Sequence, residues 1–134
     1  MASEKIEKHW QERSDDSFRT TNLLYQNKEY MNALFFGHLT LEKLLKALYA
    51  QVHKDEPQAP LIHNLVKLGE KCNLDLDADK REQLGLINTF CIEARYDDIK
   101  REFYKKCTHE FTTEQIKIIG SLRKWIKEKL TKHC

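Results

Sequence analysis

The chain has 134 residues, 40% of them hydrophobic and 33% charged, the balance of a globular protein able to bury about two-thirds of its unfolded surface in one core. A formal net charge of +2 gives no global electrostatic argument for nucleic acid, and four glycines with two prolines punctuate too little for a many-stranded sheet. The longest apolar run, around Ala33 to Phe36, is far too short to span a bilayer.

The first expected helix runs from about Glu4 to Asn27, with Ile6, Trp10, Ser14, Ser17, Thr21 and Leu24 on its inner face. Ser14 and Ser17 are small enough to let a neighbouring helix approach closely. A second helix spans about Glu29 to His53, where Lys54-Asp55-Glu56-Pro57 breaks it. Tyr30, Leu34, Gly37, Leu41, Leu44, Leu48 and Val52 share one face, and Phe35, Phe36, Leu39 and Leu45 fill much of the rest. Such a helix is packed from several directions. It nevertheless carries a polar line of His38, Glu42, Lys46 and Tyr49. Those ionisable groups must pair, snorkel or face a cleft.

A short helix starts near His63 with Leu65, Val66 and Leu68 inward, and Asn73 to Asp79 is an acidic connector. A fourth helix covers Ala78 to Arg95, with Leu84, Ile87, Cys91 and Ala94 on one face. Tyr96 to Glu110 is rich in charge and aromatics and shows no clear period. Thr112 followed by Gln115, with Phe111 set to staple on Ile116, marks a helix start. That last helix runs to about Thr131 with Ile119, Leu122, Ile126 and Leu130 inward. The expectation is an all-α, up-and-down antiparallel bundle of four to five helices, forming one domain over residues 1–134.

The cysteines at 72, 91, 107 and 134 form no CxxC pair, and neither they nor the histidines show a metal-site spacing. With a charged opening, Met-Ala-Ser-Glu-Lys, they read as reduced thiols of a cytoplasmic protein. The polar line on the second helix has two readings. In the structural one His38 bonds inside the bundle while Glu42 pairs with Lys46. In the functional one these groups line a pocket and meet a polar ligand or partner. His63 either caps its helix or faces the same cleft, and Arg95 ends an apolar helix face with its guanidinium turned toward the bundle or its mouth. Across Glu93 to Lys106, Arg and Lys interleave with Tyr, a pattern that can contact phosphates and stack on bases, although Asp97, Asp98 and Glu102 dilute the charge.

Residues 33–48, ALFFGHLTLEKLLKAL, resemble the second helix of the HEPN (higher eukaryotes and prokaryotes nucleotide-binding) domain family. Pro60-Leu61-Ile62-His63-Asn64-Leu65 is similar to that family's proline-to-histidine helix start, and Ala94-Arg95-Tyr96 to its Ala-Arg-Tyr ending. Glu102-Phe103-Tyr104-Lys105-Lys106 follows on in the usual place. The similarity runs from about Trp10 to Lys127.

The resemblance implies a helical bundle, commonly a homodimer, with a polar cleft beside the long helices. It implies as partner a separate minimal nucleotidyltransferase subunit, in systems described as toxin–antitoxin pairs, and a nucleotide or RNA as ligand. The expected cleft residues are His38, Glu42, Lys46, His63, Arg95 and Tyr96, with no catalytic residue, metal, cofactor or membrane role. Other members are metal-independent ribonucleases carrying an Arg, four to six residues, then His. After Arg95 those positions hold Lys100, Arg101 and Glu102, and Arg101 precedes His109 by seven intervening residues. A ribonuclease toxin of non-standard design is therefore the alternative reading. Gly37, Gly69, Gly85 and Gly120 offer no Gly-Ser loop with paired carboxylates, apart from Gly120-Ser121 inside a helix, so nucleotidyl transfer would belong to a separate subunit. Asp97 stands where related sequences often have proline.

Overall fold

The computed structural model describes residues 2–94 and 97–131, with the side chains of Asp97, Asp98 and Thr131 left aside. Six helices and no strand make up the described residues: α1 (Ala2–Gln26), α2 (Tyr30–Val52), α3 (Leu65–Lys71), α4 (Ala78–Glu93), α5 (Asp97–Lys106) and α6 (His109–Thr131). The all-α class agrees with the sequence pattern, with one helix more than expected.

Helix α1 ends because Lys28 turns left-handed at φ 63°. The Glu29 and Lys28 amides then close back on the carbonyls of Leu24 and Tyr25 at 2.9 and 3.0 Å. This reversal satisfies the last carbonyls of the helix and sends α2 back along it. Asn73, at φ 60°, ends α3 the same way, with the Leu74 and Asn73 amides on Gly69 and Glu70. Opposite ends of α1 and α2 therefore meet. Trp10 lies against Lys46, Ser14 Oγ donates to the Thr40 carbonyl at 2.7 Å, and Tyr25 packs near Tyr30. Ser14, Ser17 and Thr21 are buried, so the small-residue stripe does bring the two helices close.

Helix α2 is the axis of the molecule. Leu34, Leu41, Leu44, Leu45, Ala47 and Leu48 are buried, and every other helix packs on it. Helix α6 runs alongside in the same direction, from Tyr30 beside His109 to Gln51 beside Lys129. At their crossing Gly37 leaves room for Ile119, whose Cδ1 would lie 2.5 Å from any added Cβ. Ile119, Leu122, Ile126 and Leu130 are buried as expected. Truncating one such leucine to alanine typically costs about 2–5 kcal/mol.

Three expectations need correction. The stretch after Tyr96 is a helix, α5, held by buried Phe103 stacked on Phe90 at 5.7 Å and by buried Cys107. Helix α6 starts a turn before Thr112: Thr108 Oγ accepts the Phe111 amide at 3.1 Å, and Thr112 is buried inside the helix. The earlier start lets Phe111 meet Phe90 edge-on at 6.1 Å. Helix α4 also stops at Glu93 with Ala94 as its C-cap, short of Arg95.

Candidate functional site

The polar line of α2 converges on one carboxylate. Glu42, His38 and Lys46 are successive turns of the same helix, so their side chains stack along one edge. Lys46 Nζ donates to Glu42 Oε2 at 3.2 Å, and His63 Nδ1 lies 3.1 Å from Glu42 Oε1. His38 Nδ1 stands 3.8 Å from that same oxygen, while its Nε2 donates to the His63 carbonyl at 3.1 Å. The Lys46 ammonium also sits 4.9 Å from the centre of the Trp10 ring. Side-chain exposure separates the members: 1% for His38, 6% for Glu42, 11% for Lys46 and 65% for His63. A carboxylate this buried requires its cation and hydrogen-bond donors, because an uncompensated charge there costs several kcal/mol.

His63 arrives from outside the helix, on the segment between α2 and α3. Asn64 fixes that segment. Its Oδ1 accepts the amides of Val66 and Lys67, capping α3, and also accepts from Asn88 Nδ2 on α4 at 3.2 Å. Asn88 Oδ1 in turn takes the Leu65 amide at 2.8 Å. His63 thus faces the cluster, and Asn64 is the residue that caps the helix.

Four of the six residues expected in the cleft, His38, Glu42, Lys46 and His63, are therefore one connected group. Arg95 and Tyr96 lie outside the described residues. The inner three realise the structural pairing, with Glu42 bonded to Lys46 and His38 bonded within the bundle. His63 is the member that reaches solvent. Trp10 and Asn88 complete the surroundings, and neither was legible as a site residue. Trp10 reads as an ordinary core position on α1, and Asn88 meets Asn64 only after 23 intervening residues fold back.

The interleaved basic and aromatic stretch becomes α5. Lys100, Arg101 and Tyr104 line a cleft of about 310 Å³ with Met31 at the start of α2. Nearby, Tyr30 Oη and His109 Nδ1 lie 3.0 Å apart, and the His109 ring stacks on Tyr25. Among the described residues no group of three His, Cys, Asp or Glu side chains is placed to hold a metal. Cys72, Cys91 and Cys107 are buried and form no disulfide among the described residues. Burial pushes the Cys72 thiol up to about 12, and burial with the nearby Glu93 charge does the same at Cys107. Thiols held protonated in this way are poor nucleophiles and poor metal ligands.

The model of the HEPN domain family matches residues 7–130, nearly the whole chain. The chain belongs to the HEPN family. No curated protein and no solved structure gives a significant match to it. HEPN membership supports a helical module of nucleotide- or RNA-related role. No helix among the described residues is long and apolar enough to cross a membrane.

Proposed function

We propose that this chain is a single HEPN domain over residues 1–134, a non-enzymatic and homodimeric binding module of the cytoplasm. It takes a nucleotide, or a separate minimal nucleotidyltransferase subunit of the toxin–antitoxin type, at the cleft of His38, Glu42, Lys46, His63, Arg95 and Tyr96. The observation that carries the reading is the meeting of a buried carboxylate with an exposed imidazole from another segment. A bundle gains little stability from such a group compared with apolar packing. The helix that anchors the His63 segment through Asn88 is followed in sequence, after its Ala94 cap, by Arg95 and Tyr96.

In this reading the Arg95 guanidinium and His63 meet phosphate, and Tyr96 offers a ring to a base or to a partner's apolar side chain. Glu42 orients the His63 imidazole and the Lys46 ammonium at the same cleft. Calorimetric titration of the purified chain with nucleoside triphosphates, and with the partner subunit where one co-purifies, tests the assignment. Arg95→Ala should weaken binding with the thermal midpoint unchanged. Unchanged binding, or a variant that unfolds, removes Arg95 from the site. RNA cleavage that persists in chelator and disappears on one histidine substitution would instead support the ribonuclease alternative.

A further inference from the structure

Glu42 determines which nitrogen of His63 can react. A carboxylate paired with Lys46 is ionised and only accepts, so the 3.1 Å contact requires the hydrogen on His63 Nδ1. In the neutral ring the lone pair then sits on Nε2. The backbone is held as firmly as the ring: the His63 carbonyl takes the His38 Nε2 hydrogen, and Asn64 ties the next residue to α3 and α4. The ring is two-thirds exposed above a carboxylate that is almost fully buried. An oriented, solvent-facing lone pair backed by a fixed negative charge is the arrangement of an activated nucleophile.

We infer that His63 is a phosphoryl-acceptor residue, modified at Nε2 by a small phosphoryl donor or by a donor held in a partner's active site. The Nε2 lone pair forms the new N–P bond. The bond from phosphorus to its leaving group breaks, and that electron pair departs with the leaving group. The ring becomes an imidazolium whose charge is met by Glu42 across Nδ1–H. Release of the Nδ1 proton to solvent water then leaves a neutral imidazole ring that carries the anionic phosphoryl group, with no change of oxidation state. Acceptor chemistry suits the site better than enclosed catalysis. Glu42 and Lys46 are occupied by each other beneath the surface, and the outward-facing member of the cluster is His63. The inference goes beyond nucleotide binding at the cleft and does not depend on it.

The chain carries its own controls. His9 is exposed with its ring edge against Trp10, His53 Nε2 is bonded to the Lys71 carbonyl at 2.7 Å, and His38 is buried. Full-length protein is treated with potassium phosphoramidate near neutral pH, and each histidine is followed by peptide mass spectrometry under alkaline handling. This reagent loses ammonia as it transfers its phosphoryl group and contains no nucleoside, so its result is separate from any result on nucleotide binding. His63 should be modified several-fold faster than His9, with His38 unmodified. Glu42→Gln should remove that preference while leaving the His9 rate as it was. If the variant opens the bundle, His38 becomes modified too, and the wild-type ratio of His63 to His9 decides alone. Equal rates at His63 and His9, or a preference that survives Glu42→Gln in a folded protein, would overturn the assignment.

Discussion

Among the described residues, two charge clusters brace this bundle, and burial makes them different in kind. On the α1–α6 face, Asp15 meets Arg123 at 3.0 Å and Lys127 at 2.9 Å, and the Arg123 guanidinium lies over the Phe18 ring at 4.3 Å. On α2, Glu42 meets Lys46 and His63 at similar distances. The Asp15 side chain is 45% exposed, whereas that of Glu42 is 6% exposed. Water therefore screens the first cluster, which orients α6 on α1 and contributes little else. The second is desolvated, and each member depends on the others. Replacing such a cluster with well-packed apolar residues often costs a fold little, which is why its presence supports the role proposed for His63.

The contrast can be broken most severely at Glu42. Glu42→Ala leaves the Lys46 ammonium buried without its carboxylate and should destabilise the fold by about 3–5 kcal/mol, read by denaturant unfolding. The paired replacement Glu42→Leu with Lys46→Met should recover most of that loss. A double variant no more stable than Glu42→Ala would show that the stripe is needed for folding itself.

At Asp15 the effect is smaller and depends on pH. Partial burial alone would raise its carboxyl, but the hydrogen bonds from Lys127 and Arg123 outweigh this and hold it below its ordinary value of 3.8. A depressed carboxyl stabilises the fold above its unfolded pKa, and the contribution disappears as pH falls through the folded one. Asp15→Asn should therefore cost less than about 1 kcal/mol at neutral pH once solvent screening is allowed for. The difference from wild type should vanish in acid well below pH 3.8. Equal losses at both pH values would mean that Asp15 acts through packing.

Salt gives the mildest separation. At about 1 M ionic strength the screening length falls to ~3 Å, so the Asp15→Asn penalty should shrink while the Glu42→Ala penalty persists. Parallel loss of both penalties would place the two clusters in the same electrostatic regime and undo the comparison.

Much of this was legible in sequence because the strongest period falls on the most buried helix. Leu34, Leu41, Leu44 and Leu48 announce the core, and Ser14, Ser17 and Thr21 announce the close face of α1. Helix α5 was hidden because little of it is buried. Phe103 and Cys107 carry its packing, amid seven charged residues in the ten-residue run Asp97–Lys106 that mask any period. The start of α6 was misplaced because Thr112 with Gln115 fits a capping box better than Thr108 does, yet packing of Phe111 on Phe90 favours the earlier turn. The i, i+4 pairing of Glu42 with Lys46 is local and readable. Its bond to His63 spans 21 positions and depends on where Asn64 and Asn88 set the intervening segment down.

The most direct test is native mass spectrometry of the tagged chain purified from its own cells, wild type beside Arg95→Ala. The account predicts a wild-type homodimer carrying a stoichiometric nucleotidyltransferase subunit or a bound nucleotide, and an Arg95→Ala homodimer without it. A wild-type chain that carries neither, or an Arg95→Ala complex identical to wild type, would contradict it.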